Sequence, residues 1–503
     1  MNSSLYIGAT GMKGLAQGMQ VTTNNLANVS TIGYKQQQVL FSEIFPQDQA
    51  NNGEWWNNQE ESRVAVGQVG MGLQVEAVRT IFTQGGLEST NSVTDLAIDG
   101  KGYFQVTDGN RTFYTRAGDF HTDEEGVWRT PTGLALNGYK LNPDGSQGEL
   151  QPVQIDRFST LAPQATSSIG VTANFSNIQD NAKAGEEESP YFSLLNLYDA
   201  SNSRVLPDDS YAKSMQITAY DAEGNPRQLT AYFDGAGSDP SGKNVEFVIA
   251  SASAIAVNEN GEAIPPQAGD GLVMSGVLQF DASGKLVNVA AFTPSQAGSK
   301  NLEDWNVAQL ENGLPVISLD GNSMTIDFGV SAADGWQNAP ANAAQVGKDA
   351  KLLPGMGETT AGNSACTAVN ASAFNDSIRQ NGYAEGVLNN ISVNQNGIIQ
   401  GQFSNGQTAD LWQIPVCTFT SEYNLYREGG NLFTATEECG EMIMGMADTE
   451  NLGSIKAYNI ENSNVDMAQE MVSMILTQRG FQSNSKVVTT ADEMLRKAME
   501  LKR

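Results

Sequence analysis

Histidine is almost missing from this chain: His121 is the only one in 503 residues, and it is accompanied by just three cysteines, Cys366, Cys417 and Cys439. A zinc or transition-metal site draws on several such ligands at short spacing, which this chain does not own. Three scattered cysteines make no disulfide framework either. They read as buried free thiols, with Cys417 and Cys439 facing each other across a hairpin as the alternative. His121 adjoins the turn Asp123-Glu124-Glu125-Gly126 and reads as a surface-loop residue.

Basic residues are scarce as well. Lys and Arg total 28 against 57 Asp and Glu, a net charge of -29. A nucleic-acid surface needs clustered Lys and Arg, so no nucleic-acid partner is expected. The acidic excess, including Glu186, Glu187, Glu188, Asp208 and Asp209, reads as a solvated outer surface. No apolar run reaches the roughly 18 residues of a membrane span, so no membrane insertion is expected. The amino terminus has no basic leader followed by an apolar core, so the expectation is either a cytoplasmic protein or one exported without a cleaved signal peptide.

Motifs for catalysis are lacking too. Gly67-Gln68-Val69-Gly70-Met71-Gly72 has the wrong spacing for a dinucleotide loop and runs into strand-like residues. Asn142-Pro143-Asp144-Gly145 lacks the downstream glutamate of a calcium loop and reads as an ordinary turn. No cofactor, no metal and no enzymatic activity are expected.

What the chain does have is concentrated at its ends. From Ser463 to Arg503, apolar or small residues recur in steps of four and three: Met467, Met471, Met474, Gln478, Phe481, Ser485, Val488, Leu495 and Met499. That spacing is the seam of a long helix packing along another helix. Ser463 with Asp466 resembles a capping box, and Lys497, Lys502 and Arg503 place positive charge at the helix's negative end. The first thirty residues repeat the spacing at Leu5, Gly8, Met12, Leu15, Met19, Thr22, Leu26 and Val29. An antiparallel pair within one domain is one reading. Gly8, Gly11, Gly14 and Gly18 suggest another: together they cost a helix about 4 kcal/mol relative to alanine, so the segment alone should be largely unfolded. Both ends are then expected to be frayed in the monomer and helical in a polymer.

Between the ends the chain reads as β. Leu73, Val75 and Ala77 alternate with polar residues, and Trp55 and Trp56 sit in a polar stretch that reads as a loop docking its aromatics on a neighbouring surface. Asn396-Gly397 and Asn405-Gly406 between alternating segments are hairpin signals. Met215 to Tyr220 and Gln228 to Phe233 flank a turn at Asp221 to Pro226, and Val245 to Ile249, Val277 to Phe280 and Met324 to Phe328 add strands. Strands at short intervals with such punctuation imply antiparallel β domains. The expected fold class is therefore mixed and mainly β, with discontinuous nested domains. The helical core takes residues 1–32 with 458–503, and a β-rich middle domain takes 33–154 with 374–457. The outer β material at 155–373 divides into one domain or two subdomains.

Several blocks resemble one family. Asn24-Asn25-Leu26-Ala27-Asn28 with Thr31-Ile32-Gly33-Tyr34-Lys35 is similar to the amino-terminal signature of bacterial flagellar rod and hook proteins. Asp95 to Phe104 and Tyr114 to Phe120 resemble the next block; Ser463-Asn464-Val465-Asp466, Gln478-Arg479-Gly480-Phe481-Gln482 and Thr490 to Leu495 resemble the carboxyl-terminal one. The length and the β-rich centre resemble the hook members rather than the shorter distal rod proteins.

The resemblance implies a homopolymeric tube in which the terminal helices line the inner core. Leu5, Met12, Leu15, Met19, Leu26, Val29, Met467, Met471, Met474, Phe481, Val488, Leu495 and Met499 would lie in subunit contacts. It implies torque transmission by a flexible joint in the flagellum, outside the cell. Implied partners are the rod, the hook cap, the hook-filament junction proteins and the flagellar export apparatus. A distal rod or hook-associated protein of the same family is the near alternative, and a secreted β-rich adhesin the one from another class.

Overall fold

In the computed structural model, residues 2–44, 47–48, 68–176, 178, 189–236, 242–251, 266–362, 364–370, 375–449 and 451–501 are described. Trp55, Trp56 and the acidic run Glu186 to Glu188 lie outside them, as do Lys502 and Arg503. Among the described residues the α-helices are α1 (Asn2–Ala27), α2 (Ser193–Leu197) and α3 (Met467–Glu500); nearly everything else regular is antiparallel strand. The fold is mainly β with helical ends, as the sequence implies. The chain divides into two units, Met1–Ser159 with Leu388–Arg503, and Thr160–Val387.

The second unit is built on a six-stranded meander that begins with the hairpin read from sequence, Lys213–Tyr220 against Pro226–Gly235. Strands Gly242–Ser251, Leu272–Asp281, Leu286–Pro294 and Trp305–Val307 follow in order. Its middle strands are near-continuous apolar runs because both faces are covered. Val245, Phe247 and Ile249 point into one core, shared with Ile169, Ile317 and Ile326 of a five-stranded sheet. Val248 and Ala250 point into another, with Leu194 and Leu195 of α2, Phe292 and Trp305.

In the first unit, strands Gly386–Val393, Ile398–Phe403 and Thr408–Gln413 form successive hairpins whose turns carry Gly397 and Gly406 at φ 79° each, as the Asn-Gly pairs demand. They continue through Ala135–Leu141 and Phe104–Thr107 to Tyr426–Gly429 at the edge. A separate two-stranded ribbon pairs Gln37–Glu43 with Leu73–Thr80 and packs on α1. Cys366, Cys417 and Cys439 are free and buried.

The capping box expected at Ser463 is not the one used. Asp466 caps α3, its carboxylate accepting from the amides of Ala468 (2.8 Å) and Gln469 (3.1 Å), and the helix begins at Met467. Asn464 is engaged instead with the ribbon and the residues after it: its side chain accepts from the Gln36 amide (2.7 Å) and donates to the carbonyls of Ile81 (2.9 Å) and Thr83 (3.0 Å).

Candidate functional site

The two chain ends meet as an antiparallel helix pair. A Cβ on Gly8 would lie 2.7 Å from Val488 Cγ2, one on Gly11 3.0 Å from the Asn484 amide group, and one on Gly480 3.0 Å from Leu15 Cδ1. A Cβ on Gly14 would collide with Leu73 of the ribbon, while one on Gly18 would meet Phe41 at an ordinary 3.4 Å. Gly8, Gly11, Gly14 and Gly18 therefore form the buried stripe of α1, continued by Thr22 and Asn25. They cost helix propensity, but their missing side chains admit those of α3 and the ribbon. This corrects the expectation that the amino-terminal segment stays unfolded in a single copy, because the partner that orders it is the other end of the same chain.

The apolar residues read as one seam differ in how far the chain covers them. Leu5, Met12, Leu15, Met19, Leu26 and Val29 flank the glycine stripe and are half-buried. Met474, Phe481, Val488 and Leu495 are half-buried too, on the side of α3 that carries the buried Glu470 and Ala491. Met467, Met471 and Met499 are exposed, together with Val472, Ile475, Leu476 (63%), Val487, Met494 and Leu501. One side of α3 is thus covered within the chain. The other is not, and it carries an apolar cluster at Met471, Val472, Ile475 and Leu476 and single apolar residues beyond it among polar ones such as Arg479, Ser483 and Lys486.

At the base of the pair lies a buried polar knot. Asn25 donates to the Gln37 carbonyl (2.8 Å) and to Glu470 Oε1 (2.9 Å), and its own oxygen accepts from the Gln37 amide (3.0 Å) and the Tyr34 hydroxyl (3.2 Å). Gln36 donates to the same Glu470 oxygen at 2.6 Å. Asn24 donates to the Tyr34 hydroxyl (3.0 Å), and Asn28 donates back to the Asn24 carbonyl (2.8 Å), capping the end of α1.

Beside it, Lys35 Nζ sits 2.6 Å from Glu461 Oε1, and Arg116 Nη1 3.5 Å from Glu461 Oε2, all three side chains almost fully buried. Lys35 also donates to the Thr83 carbonyl, and Glu461 accepts from the Gly85 amide. Burial pulls the Lys35 ammonium below its usual pKa, against the opposing pull of Glu461, and pushes the Tyr34 phenol up. Gly33, at φ 68°, donates to the Glu461 carbonyl (2.7 Å), and a side chain there would strike the Ala117 backbone.

Of the motif residues, Asn24, Asn25, Asn28, Gly33, Tyr34 and Asn464 all meet at this junction, whereas Arg479 stands exposed on α3. Glu461, Glu470 and Gln36 escaped singling out from sequence, and Arg116 stood out only as part of the block Tyr114 to Phe120. Glu470 did carry a signal: it lies four residues before Met474, a charge at seam spacing.

The chain matches the Flagella basal body rod protein family over residues 5–35 and the Flagellar hook protein FlgE/F/G D1 domain over 97–178. It matches the Flagellar basal body protein FlaE D2 domain over 196–383 and the Flagellar basal body rod FlgEFG protein C-terminal over 456–501. The flagellar hook protein FlgE of Treponema pallidum is 27% identical over 515 residues, covering 100% of both chains. This chain belongs to the flagellar hook protein family. Other relatives of this hook-family chain include FlgE of Borreliella burgdorferi, 26% identical with 100% of both chains covered, and FlgE of Escherichia coli, 26% identical with 98% of each. A solved Helicobacter pylori flagellar hook protein FlgE2 covers 75% of this chain and 100% of its own, at 15% identity and a TM-score of 0.45.

Proposed function

We propose that the chain is a non-enzymatic structural subunit of the flagellar hook, which polymerises into a flexible tube and transmits torque from rod to filament. The observation that carries this reading is the uncovered side of α3, where Val472, Ile475, Leu476, Val487 and Met494 stand exposed on a helix already packed against α1. A cluster of exposed large apolar side chains such as Val472, Ile475 and Leu476 marks an interaction site. In a tube of identical copies it is buried against neighbouring subunits, each large side chain contributing roughly 1.5 to 3 kcal/mol when fully covered.

In this reading the helices at 1–32 and 458–503 line the tube, residues 33–154 with 374–457 form its middle shell, and 155–373 faces outward. The location is the flagellum. The rod, the cap, the hook-filament junction proteins and an export apparatus that cleaves no leader are the expected partners.

Electron microscopy of the purified, concentrated chain tests the proposal. Hollow tubes are expected from the unaltered chain and none from a chain carrying Ile475→Gln and Leu476→Gln. Tubes growing equally well from a chain lacking residues 467–503 would overturn it.

A further inference from the structure

In the first unit, strand Met442–Met446 pairs with Pro415–Phe419 and, among the described residues, with no other strand. Its register gives the direction of every backbone group. Cys417 exchanges both backbone hydrogen bonds with Tyr103 (2.8 and 3.0 Å), so its N–H and C=O point away from Met444, which stands opposite it. In an antiparallel ladder such pairs alternate. Thr418 with Ile443 and Val416 with Gly445 are therefore the bonded pairs. The amides and carbonyls of Met442 and Met444 point outward, off the edge of the sheet.

This edge lacks the usual protection. Exposed edge strands are ordinarily blunted by lysine, proline or a bulge, yet the stretch is Met-Ile-Met-Gly-Met in unbroken register. Ile443 is 53% exposed and Met442 36%. The Tyr114 hydroxyl donates to Met442 Sδ at 3.0 Å, fixing that side chain on the core side and leaving Ile443 on the opposite face. Glu437, Glu438 and Glu441 precede the strand and Asp448 follows it in sequence, all exposed and none in an ion pair among the described residues.

We propose that Met442–Met446 is a strand-docking edge that takes up an extended segment of a different protein, one in which apolar residues alternate with Lys or Arg. Strand addition of this kind draws affinity from main-chain hydrogen bonds and specificity from alternate side chains. The four carboxylates select a basic partner and repel acidic ones. The same local charge argues against this edge pairing with its counterpart in a second copy, which would set these four carboxylates against four more. The inference stands apart from the hook reading, because it uses neither α1 nor α3.

The probe is a fluorescein-labelled peptide of alternating Lys and Val, followed by fluorescence anisotropy on the full chain. Binding is expected, weakened by salt and by Glu437→Gln, Glu438→Gln and Glu441→Gln together. Two changes remove the outward hydrogen bonds without touching charge: Met444→Pro, whose lost N–H is one the neighbouring strand does not use, and N-methylation of alternate amides in the peptide. Each should weaken binding about tenfold, the loss of one or two net hydrogen bonds. Where Met444→Pro alters the circular dichroism, the N-methylated peptide on the unaltered chain decides alone. Equal affinity for the methylated and parent peptides overturns the proposal. So does a change in the chain's own sedimentation on Met444→Pro, which assigns the edge to a second copy.

Discussion

The six-stranded sheet of the second unit and the helix pair of the first solve the burial problem in opposite ways. The sheet covers both of its faces with its own chain, so Phe247 and Val248, adjacent in sequence, are each completely buried on opposite sides. The helix pair covers one side of α3 with a glycine stripe and leaves Leu476 and its neighbours bare. A segment that finishes its own core is a domain; a helix that leaves Val472, Ile475 and Leu476 outside has not finished its own. The polar knot of Asn25, Glu470, Lys35, Glu461 and Arg116 holds this unfinished element in one register.

The largest effect that would break this contrast lies in the knot. Glu461→Ala leaves Lys35 and Arg116 buried beside no carboxylate, which should cost the first unit about 3 to 5 kcal/mol. The denaturation transition of the second unit should stay where it is, and a shared shift of both transitions would contradict the separation. Gly33→Ala comes next, combining a left-handed backbone with a Cβ set 2.5 Å from the Ala117 nitrogen. It should cost about 3 kcal/mol in the same measurement.

The glycine stripe can be sharpened by an opposed pair. Gly14→Ala collides with Leu73 and should lower stability, whereas Gly18→Ala has room and should raise it by about 1 kcal/mol through helix propensity. If both stabilise, the stripe is not a packing device. Alkali acts on both units. Burial pushes Cys417 in the first unit and Cys366 in the second from 9.0 up to about 12, and Tyr114 from 10.0 to about 12. A folded pKa above the unfolded one gives stability that is complete below the unfolded value and lost as pH rises through the folded value. Both midpoints should therefore fall between about pH 9 and 12, and Cys417→Ala should flatten only the first unit's share. The smallest effect belongs to Leu476→Gln: within about 0.5 kcal/mol for the monomer, as for exposed sites generally, although polymer growth should suffer.

Much of this was legible beforehand for local reasons. Asn396-Gly397 and Asn405-Gly406 announce their hairpins, and the run from Met215 to Phe233 announces another, because turn chemistry acts over four residues. The motif asparagines and Tyr34 stood out through resemblance, without the junction they build. The carboxylates that answer them did not, because Glu461 and Glu470 gain meaning only from partners more than four hundred residues away. The glycines of α1 were misjudged for a related cause: their helix cost is written in the residue itself, whereas the space they leave is written in Val488 and Asn484. The cap of α3 was misplaced by three residues because Ser463 and Asp466 both carry capping side chains, and it is Asp466 that accepts from the free amides of Ala468 and Gln469.

The span of the Lys35–Glu461 pair, 426 residues, has a bearing on timing. A ribosome emits the lysine early and its carboxylate near the finish, so for most of synthesis the leading end has no lock to close. Long-range closure of this sort is slow. The helix at the head of the molecule therefore meets its packing partner only after the tail has been made.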